Sequence, residues 1–265
     1  MFLRVGDLTI HLRAEGPPGA PALLLLHSLG ASQVIWDAQA EALRAGFRVI
    51  RPDMRGHGLS TATPGPYDMD MLARDALGVL DALAIGTTHV AGLSIGGLIA
   101  QNLALRAPDR VRSLILIDTA LAIPPAGTWH ERARMARTHG MLPLIEGVVG
   151  RWVTPGFLHS PEADGLRAML LRTPPEGYAG ASEAIAAADF TRFSSAIRAR
   201  TLVMVGEHDH ATPVSSAMAL CDAIPGAQSE ILADAAHIPV VEHPNAVLDA
   251  MRRFLSDPDS RAAPS

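Results

Sequence analysis

Short apolar runs, most of them rich in branched residues, recur along the chain. A continuous apolar run of about five residues is typical of a strand that is buried on both faces of a sheet. The runs that predict strands lie at 23–26, 47–50, 89–93, 114–117, 201–205 and 229–232. Ahead of them, residues 2–5 and 8–12 flank Gly6-Asp7, which predicts an N-terminal hairpin at an antiparallel edge of the sheet.

The stretches between these runs have the spacing of apolar residues that helices show. One such stretch extends from Met71 to Leu83, another follows residue 94, and two more lie near 214–223 and 244–255. Strands that alternate with helices predict the α/β class, in which a mostly parallel sheet carries helices on both faces.

The interval from residue 120 to residue 189 interrupts this alternation. It has helical patterning but no convincing strand, and it contains Trp129 and Trp152. We therefore predict a helical cap at 120–189 that is inserted into a core formed by 1–119 and 190–256. The last residues, 257–265, are mostly small or polar with two prolines, which predicts a flexible tail.

Composition narrows the class of protein. The chain has 265 residues, of which 48% are hydrophobic and 18% charged, a balance that excludes a disordered chain. No apolar run approaches the roughly 20 residues of a membrane span. Its formal net charge is −5 and all 22 basic residues are arginines, which argues against a general nucleic-acid binder.

Cysteine content and the N-terminal sequence bear on the compartment. Cys221 is the only cysteine, so an internal disulfide and a cysteine-based zinc cluster are excluded. Charged residues follow Met1 too soon to leave room for the apolar stretch of a secretion signal. We therefore predict a cytoplasmic protein.

The sharpest local motif is Gly-Leu-Ser-Ile-Gly at 92–96, which directly follows one predicted strand and directly precedes a predicted helix. This is the G-x-S-x-G pattern in the context that it requires, a sharp turn that presents a serine nucleophile above the sheet. The alternative is a glycine-rich turn with an ordinary capping serine. The strand, the helix and the residues downstream favour Ser94 as a nucleophile.

A serine nucleophile needs a base and an orienting acid. Asp209 follows the strand at 201–205, and His237 follows the strand at 229–232, so the chain order is Ser, Asp, His, as this architecture uses. Glu207 and Asp118 also lie at strand ends, and Asp118 would serve as the acid in a variant arrangement. We favour Asp209 because the Ala-Thr-Pro that follows it suits a tight loop.

An acyl-transfer site also needs hydrogen-bond donors for the oxyanion. We expect the backbone N–H groups of Ile95 and Leu29 to supply them, with Ser28 as the next choice for the second donor. Residues 53–60 indicate a structural turn near the site. No group of histidines and carboxylates has a metal-ligand spacing along the sequence, and no glycine-rich loop matches a phosphate cradle, so neither a metal nor a cofactor is predicted.

Along essentially its whole length the chain resembles the α/β-hydrolases. The motifs that carry this resemblance are His-Ser-Leu-Gly at 27–30, Asp-Met-Arg-Gly-His-Gly at 53–58, Gly-Leu-Ser-Ile-Gly-Gly at 92–97 and Gly-Glu-His-Asp at 206–209. The resemblance implies an α/β-hydrolase fold with a catalytic triad of Ser94, Asp209 and His237, and it says little about substrate.

A narrower resemblance is to the 3-oxoadipate enol-lactonases of aromatic catabolism. The segments that carry it are 28–30, 36–37, 65–67 and 75–83 in the core and 129–132, 140–141, 151–152 and 167–178 in the cap. One departure is His27, where these lactonases commonly carry asparagine and general esterases often carry histidine. The departure puts the substrate, not the catalysis, in question.

The lactonase resemblance implies a small lactone substrate with a free carboxylate. Arg132, beside Trp129, is the candidate cation for that carboxylate, and the alternative is a solvated surface arginine. Hydrolysis of 3-oxoadipate enol-lactone through an acyl-enzyme is thus the first hypothesis. A broad-specificity carboxylesterase for short-chain esters is the second, and a binding protein that keeps the fold without hydrolysis is the third. The predicted partner is a small molecule, with neither nucleic acid nor membrane, and the oligomeric state is left open.

Overall fold

An eight-stranded sheet lies at the centre of the computed structural model, which describes residues 1–256. The strands are β1 (Phe2–Val5), β2 (Leu8–Glu15), β3 (Ala22–Leu26), β4 (Arg48–Pro52), β5 (Thr88–Leu93), β6 (Val111–Ile117), β7 (Arg200–Gly206) and β8 (Gln228–Leu232). Their order in the sheet is β1-β2-β4-β3-β5-β6-β7-β8. The pairs β1–β2 and β2–β4 are antiparallel, and all the others are parallel.

Helices separate most of the strands. They are α1 (Asp37–Leu43), α2 (Met69–Ala82), α3 (Ile95–Arg106), α4 (Ala126–His139), α5 (Ile145–Trp152), α6 (Pro161–Arg172), α7 (Pro175–Ala187), α8 (Val214–Ala223), α9 (Pro239–Glu242) and α10 (Pro244–Ser256). Helix α3 packs on β3, β5 and β6, and α8 packs on β7 and β8. The predicted α/β fold with a mostly parallel sheet and an N-terminal hairpin is confirmed.

Burial follows the position of each strand in the sheet. Every residue of β3 and of β5, the two strands at the middle, is buried. The edge strand β8 buries only Leu232, because it has a partner on one side alone. Buried parallel strands end at a common edge of the sheet, and this edge carries the side chains considered below.

Helices alone fill the interval between β6 and β7. Four α-helices, α4 to α7, lie there, and no strand occurs from residue 118 to residue 199, all of which the structure describes. Helix α4 packs closely along α7. The division into a core and a cap with boundaries at 120 and 189 remains a prediction, and the predicted tail at 257–265 lies outside the described residues.

Several elements differ from the sequence prediction. Strand β6 begins at Val111, three residues before the predicted run. Strand β2 extends to Glu15, three residues beyond the predicted hairpin, because its second half pairs with β4. Helix α1 has only seven residues and was not predicted, since so short a helix shows barely two turns of periodicity. In the chain as far as residue 256, none of the helices combines the length and apolar character needed to cross a membrane.

Candidate active site

Ser94 occupies a strained turn between the end of β5 and the start of α3. Its backbone angles are φ 57° and ψ −116°, a conformation that non-glycine residues adopt at a cost of about 1–3 kcal/mol. The Ser94 N–H donates to Ile117 O (2.9 Å), and the Thr119 hydroxyl donates to Ser94 O (2.8 Å). These bonds to β6 and the residues after it hold the turn.

The glycines beside Ser94 are required by close approach of the backbone. A Cβ atom on Gly92 would lie closer than 3.0 Å to the Gly96 carbonyl oxygen, and a Cβ on Gly96 would lie equally close to Leu26 O at the end of β3. Any larger residue would push the turn away from the sheet. The G-x-S-x-G spacing therefore follows from the path of the backbone.

Asp209 and His237 meet above the same edge of the sheet. Asp209 lies in the loop after β7 and His237 in the loop after β8, and His237 Nδ1 donates to Asp209 Oδ2 at 2.8 Å. The carboxylate also accepts from the Thr212 hydroxyl (2.5 Å) and from the N–H groups of Ala211 (2.7 Å) and Thr212 (3.2 Å). With Nδ1 bound to Asp209, the neutral imidazole carries its lone pair on Nε2, as a general base requires.

The surroundings of Asp209 favour its ionised form. Burial raises the pKa of this carboxyl, but the nearby His237 charge and the hydrogen bonds from His237 and Thr212 outweigh burial, so the pKa lies well below its ordinary value. Asp209 is thus a carboxylate throughout the neutral and mildly acidic range. It can stabilise an imidazolium that forms at His237.

Ser94 and His237 line one pocket. Within residues 1–256, no hydrogen bond joins the Ser94 hydroxyl to His237, and His237 Nε2 has no other partner. Contacts of this kind are often long in ligand-free enzymes and shorten when substrate binds. The structure brings the three predicted residues to one site and records the Asp209–His237 contact directly.

The two competing carboxylates occupy different places. Glu207 is exposed and accepts the Asp234 N–H at 3.2 Å. Asp118 is fully buried, and its Oδ1 accepts the Gly206 N–H at 2.8 Å. Of the three candidates, only Asp209 has a hydrogen bond to His237 among the described residues.

The loop that precedes α1 brings Leu29 to the pocket that Ser94 lines. Leu29 lines the pocket with Ser94, and within residues 1–256 its N–H donates no hydrogen bond. Ile95 is the first residue of α3, so its N–H has no acceptor within the helix. Both N–H groups are thus free to donate a hydrogen bond, and their role as oxyanion donors remains a prediction.

Two buried histidines hold this loop against the turn at 53–58. His57 Nε2 accepts the Gly30 N–H (3.0 Å), while His27 Nε2 accepts the Met54 N–H (2.9 Å). From the cap side, the Thr173 hydroxyl donates to Gly30 O at 3.1 Å. The interpretation of residues 53–60 as a structural turn fits these contacts, which the sequence signalled only through the histidines at 27 and 57.

Cap residues form the far wall of the pocket. Trp129 and Arg132 of α4 both line it, with the Arg132 guanidinium 4.7 Å from the centre of the Trp129 ring. Arg151 and Tyr178 also line it and were missed by sequence reasoning, because helical spacing does not tell which cap face meets the core. The Tyr178 hydroxyl is buried and lies within hydrogen-bonding reach of the Arg132 guanidinium.

Comparison with known proteins places the chain in a family. Residues 21–138 match the family described as alpha/beta hydrolase fold. The chain is 36% identical to 3-oxoadipate enol-lactonase 2 of Acinetobacter baylyi, over 95% of this chain and 96% of that protein. This chain belongs to the α/β-hydrolase family. The predictions that it is a hydrolase and that it resembles the enol-lactonases are confirmed.

Solved structures support the assignment of this chain to the α/β-hydrolases. The enol-lactonase from Burkholderia xenovorans LB400 is 37% identical and superposes with a TM-score of 0.94, covering 97% of this chain and 100% of its own. A thermophilic esterase from Thermogutta terrifontis, with malate bound, is 31% identical with a TM-score of 0.90, covering 96% of this chain and 98% of its own.

The departure at His27 does not reach the substrate pocket of this hydrolase. His27 is fully buried, and both ring nitrogens are occupied, Nδ1 by Ser28 O (2.8 Å) and Nε2 by the Met54 N–H. Burial lowers the pKa of His27, so the ring is neutral. Residue 27 therefore supports the loop that carries Leu29 and has no place in the pocket wall.

Folding also brings together groups that sequence spacing did not reveal. One oxygen each of Asp118 and Asp209 and one ring nitrogen of His237 lie within 4.8 Å of one another, and the exposed Glu207, His208 and Asp234 form a second such group. No group of histidines and carboxylates has metal-ligand spacing along the sequence, but these two groups come together when the chain folds. In the first group, the Asp209–His237 hydrogen bond already accounts for the contact.

Proposed function

We propose that this α/β-hydrolase opens a small lactone that carries a free carboxylate, with 3-oxoadipate enol-lactone as the substrate, through an acyl-enzyme on Ser94. The observation that carries the proposal is the charge of the pocket. Arg132 and Arg151 line it together with Ser94 and His237, while no aspartate or glutamate of residues 1–256 does. A pocket with unneutralised cations beside a nucleophile favours an anionic substrate.

In the first half of the reaction, the Ser94 oxygen attacks the ring carbonyl. His237 Nε2 takes the serine proton, and Asp209 stabilises the resulting imidazolium. The N–H groups of Leu29 and Ile95 donate to the oxyanion. The ring C–O bond then breaks, and the leaving enolate takes the proton from His237 and becomes a ketone.

In the second half, water hydrolyses the ester on Ser94. His237 removes one proton from the water as its oxygen attacks the acyl carbon, and the bond to Ser94 breaks as His237 returns that proton to the serine oxygen. The product has a new carboxylate at the former ring carbonyl. The free carboxylate of the substrate stays against the arginine side of the pocket throughout.

Arg132 is suited to hold that free carboxylate. It is partly buried, stacks on Trp129, and has no ion pair in the described part of the chain. Burial and the adjacent Arg151 lower its pKa, but a guanidinium stays charged in proteins. A carboxylate that binds there would relieve the repulsion between the two arginines.

The activity is tested by comparing purified protein on 3-oxoadipate enol-lactone and on p-nitrophenyl acetate. We expect a much higher kcat/KM for the lactone. Negligible lactone turnover with good ester turnover would favour the second candidate, a broad-specificity carboxylesterase, for which the 31% identical esterase is the supporting relative. A fluorophosphonate should label the protein at Ser94, and labelling that persists in Ser94→Ala would contradict the proposed nucleophile.

The carboxylate contact is tested with Arg132→Gln. Hydrogen bonds to charged groups contribute roughly 1.5–3 kcal/mol, so we expect KM for the lactone to rise by about 10- to 100-fold. The neutral p-nitrophenyl acetate should be hydrolysed as before. Arg134→Gln is the matched control, because Arg134 lies on the same helix but is exposed and paired with Glu131. Equal effects of the two variants would contradict the assignment.

A further inference from the structure

Asp118 is a buried carboxyl group beside the candidate triad that the proposed reaction does not use. It follows β6, is fully buried, and has a left-handed backbone with φ 44°. The Asp118 N–H donates to Met204 O at 2.9 Å, and Oδ1 accepts from Gly206, so both anchors belong to β7. The side chain is thus fixed at the sheet edge between the strands that lead to Ser94 and to Asp209.

The Asp118 carboxyl is hydrogen-bonded to the Asp209 carboxyl. Asp118 Oδ2 is buried, and a protonated Asp118 donates its hydrogen bond to the Asp209 carboxylate. A carboxylate oxygen of Asp118 lies within 4.8 Å of both Asp209 and His237. Without Asp209 this buried oxygen would lose that partner, and the imidazole of His237 is the nearby group that replaces it, because buried polar atoms are nearly always hydrogen-bonded.

We propose that Asp118 is a reserve positioning residue for His237, which takes over the role of the acid when Asp209 is removed. The inference rests on the proposed triad. In the intact protein Asp209 occupies the Nδ1 side of His237, and Asp118 remains a neutral acid. Without Asp209, the Asp118 proton leaves to solvent, and the carboxylate accepts the His237 Nδ1–H.

The charges around Asp118 support this division of roles. Burial, the ionised Asp209 and the hydrogen bond between the two carboxyls raise the pKa of Asp118 well above its ordinary value, and Glu242 adds to the effect. Two adjacent buried carboxyls do not ionise together readily, and the one with more donors ionises first. Asp209 has three donor groups besides His237 and the Asp118 carboxyl, whereas Asp118 accepts only from the Gly206 N–H among the described residues. Removing Asp209 removes one of the charges that keep Asp118 neutral.

A double-variant cycle tests the reserve role. Loss of the triad acid lowers kcat by about 10⁴-fold in a serine protease. We expect the kcat of Asp209→Ala, on whichever substrate the native protein hydrolyses, to be lower by about 100-fold. Asp118→Asn should then reduce kcat at least tenfold more in the Asp209→Ala background than in the native background. The proposal would be overturned if Asp118→Asn reduced kcat by the same factor in both backgrounds, or by a larger factor in the native one.

Two further readouts separate a reserve acid from a merely structural residue. The activity of Asp209→Ala should rise with pH over a range in which the native protein is already fully active, because Asp118 must ionise first. The His237 Nδ1–H proton resonance should persist in Asp209→Ala and disappear in Asp209→Ala/Asp118→Asn. A pH profile unchanged from the native one, or a resonance absent from Asp209→Ala, would also contradict the reserve role. The triad itself would be contradicted by a different result, namely hydrolysis that no longer depends on Ser94.

Discussion

At the scale of single residues, the geometry of the candidate site depends on how completely Asp209 is hydrogen-bonded. Thr212 provides two of its donors, and the hydroxyl shares Oδ2 with His237. A carboxylate held by several donors cannot rotate, so it determines the plane in which the imidazole lies. The hydroxyl of Thr212 is therefore part of the support of His237, although it touches no substrate.

Thr212→Val tests that support. The valine keeps the shape of the side chain and the backbone N–H but removes the hydroxyl donor, and a hydrogen bond to a charged group is worth about 1.5–3 kcal/mol. We expect kcat to fall by roughly tenfold, with KM unchanged. Thr212→Ser, which retains the donor, should restore most of the activity. A Thr212→Val protein with native kcat would show that the two N–H groups and His237 alone hold Asp209.

At the scale of elements, the contact between the turn at 53–58 and α7 is a close backbone link between sheet and cap. A Cβ atom on Gly177 would lie closer than 3.0 Å to the backbone of Gly56, and these atoms are main chain, which cannot rotate away. The link brings α7 and Tyr178 down onto the pocket. It also explains why α7 carries a glycine in its first turn, where a helix would otherwise favour a larger residue.

The matched substitutions Gly177→Ala and Gly165→Ala test this link. Gly165 is exposed in α6, and a Cβ there would meet nothing within 4 Å. Gly165→Ala should therefore raise the free energy of unfolding by about 0.5–1 kcal/mol through helix propensity. Gly177→Ala should lower it by about 1–3 kcal/mol, as overpacking does. Urea denaturation measures both, and stabilisation by Gly177→Ala would disprove the close contact.

Which elements could be predicted from sequence depended on how each one buries its residues. Strands β3 and β5 are buried throughout because they are covered on both faces, which leaves a continuous apolar run in β3 and a mostly apolar one in β5. The Gly-Leu-Ser-Ile-Gly turn is set by local backbone geometry. These features were therefore predicted. Helix α1 is too short to show a period. Arg151 and Tyr178 approach the pocket only through the packing of cap helices, which chain order does not encode, and the His57–Gly30 bond joins residues far apart in sequence.

At the scale of the whole molecule, buried neutral histidines make the fold sensitive to acid. Burial lowers the pKa of His57 to about 3 and that of His89 to about 4, and it also lowers the pKa of His27, against an ordinary value of 6.5. As the pH falls below 6.5, the unfolded chain binds protons at these rings and the folded chain does not. The free energy of unfolding therefore decreases as the pH is lowered through this range.

The size of this effect is testable at His89, whose ring pairs with the Ser113 hydroxyl away from the site. Each such ring contributes up to about 1.4 kcal/mol per pH unit below its unfolded pKa. Urea denaturation between pH 6.5 and 5, above the range in which most carboxylates titrate, should give a steep loss of stability. His89→Asn should reduce the dependence of the unfolding free energy on pH by the equivalent of about one bound proton. An unchanged slope would mean that His89 is protonated in the folded state.

Gly30 is bound on both sides, its N–H by His57 of the core and its carbonyl by Thr173 of the cap interval. A chimaera that grafts a relative's residues 120–189 onto this scaffold would thus alter the segment that carries Leu29, the candidate oxyanion donor, as well as the cap side of the pocket. A cap exchange meant to change selectivity should therefore preserve both partners of Gly30, His57 and Thr173.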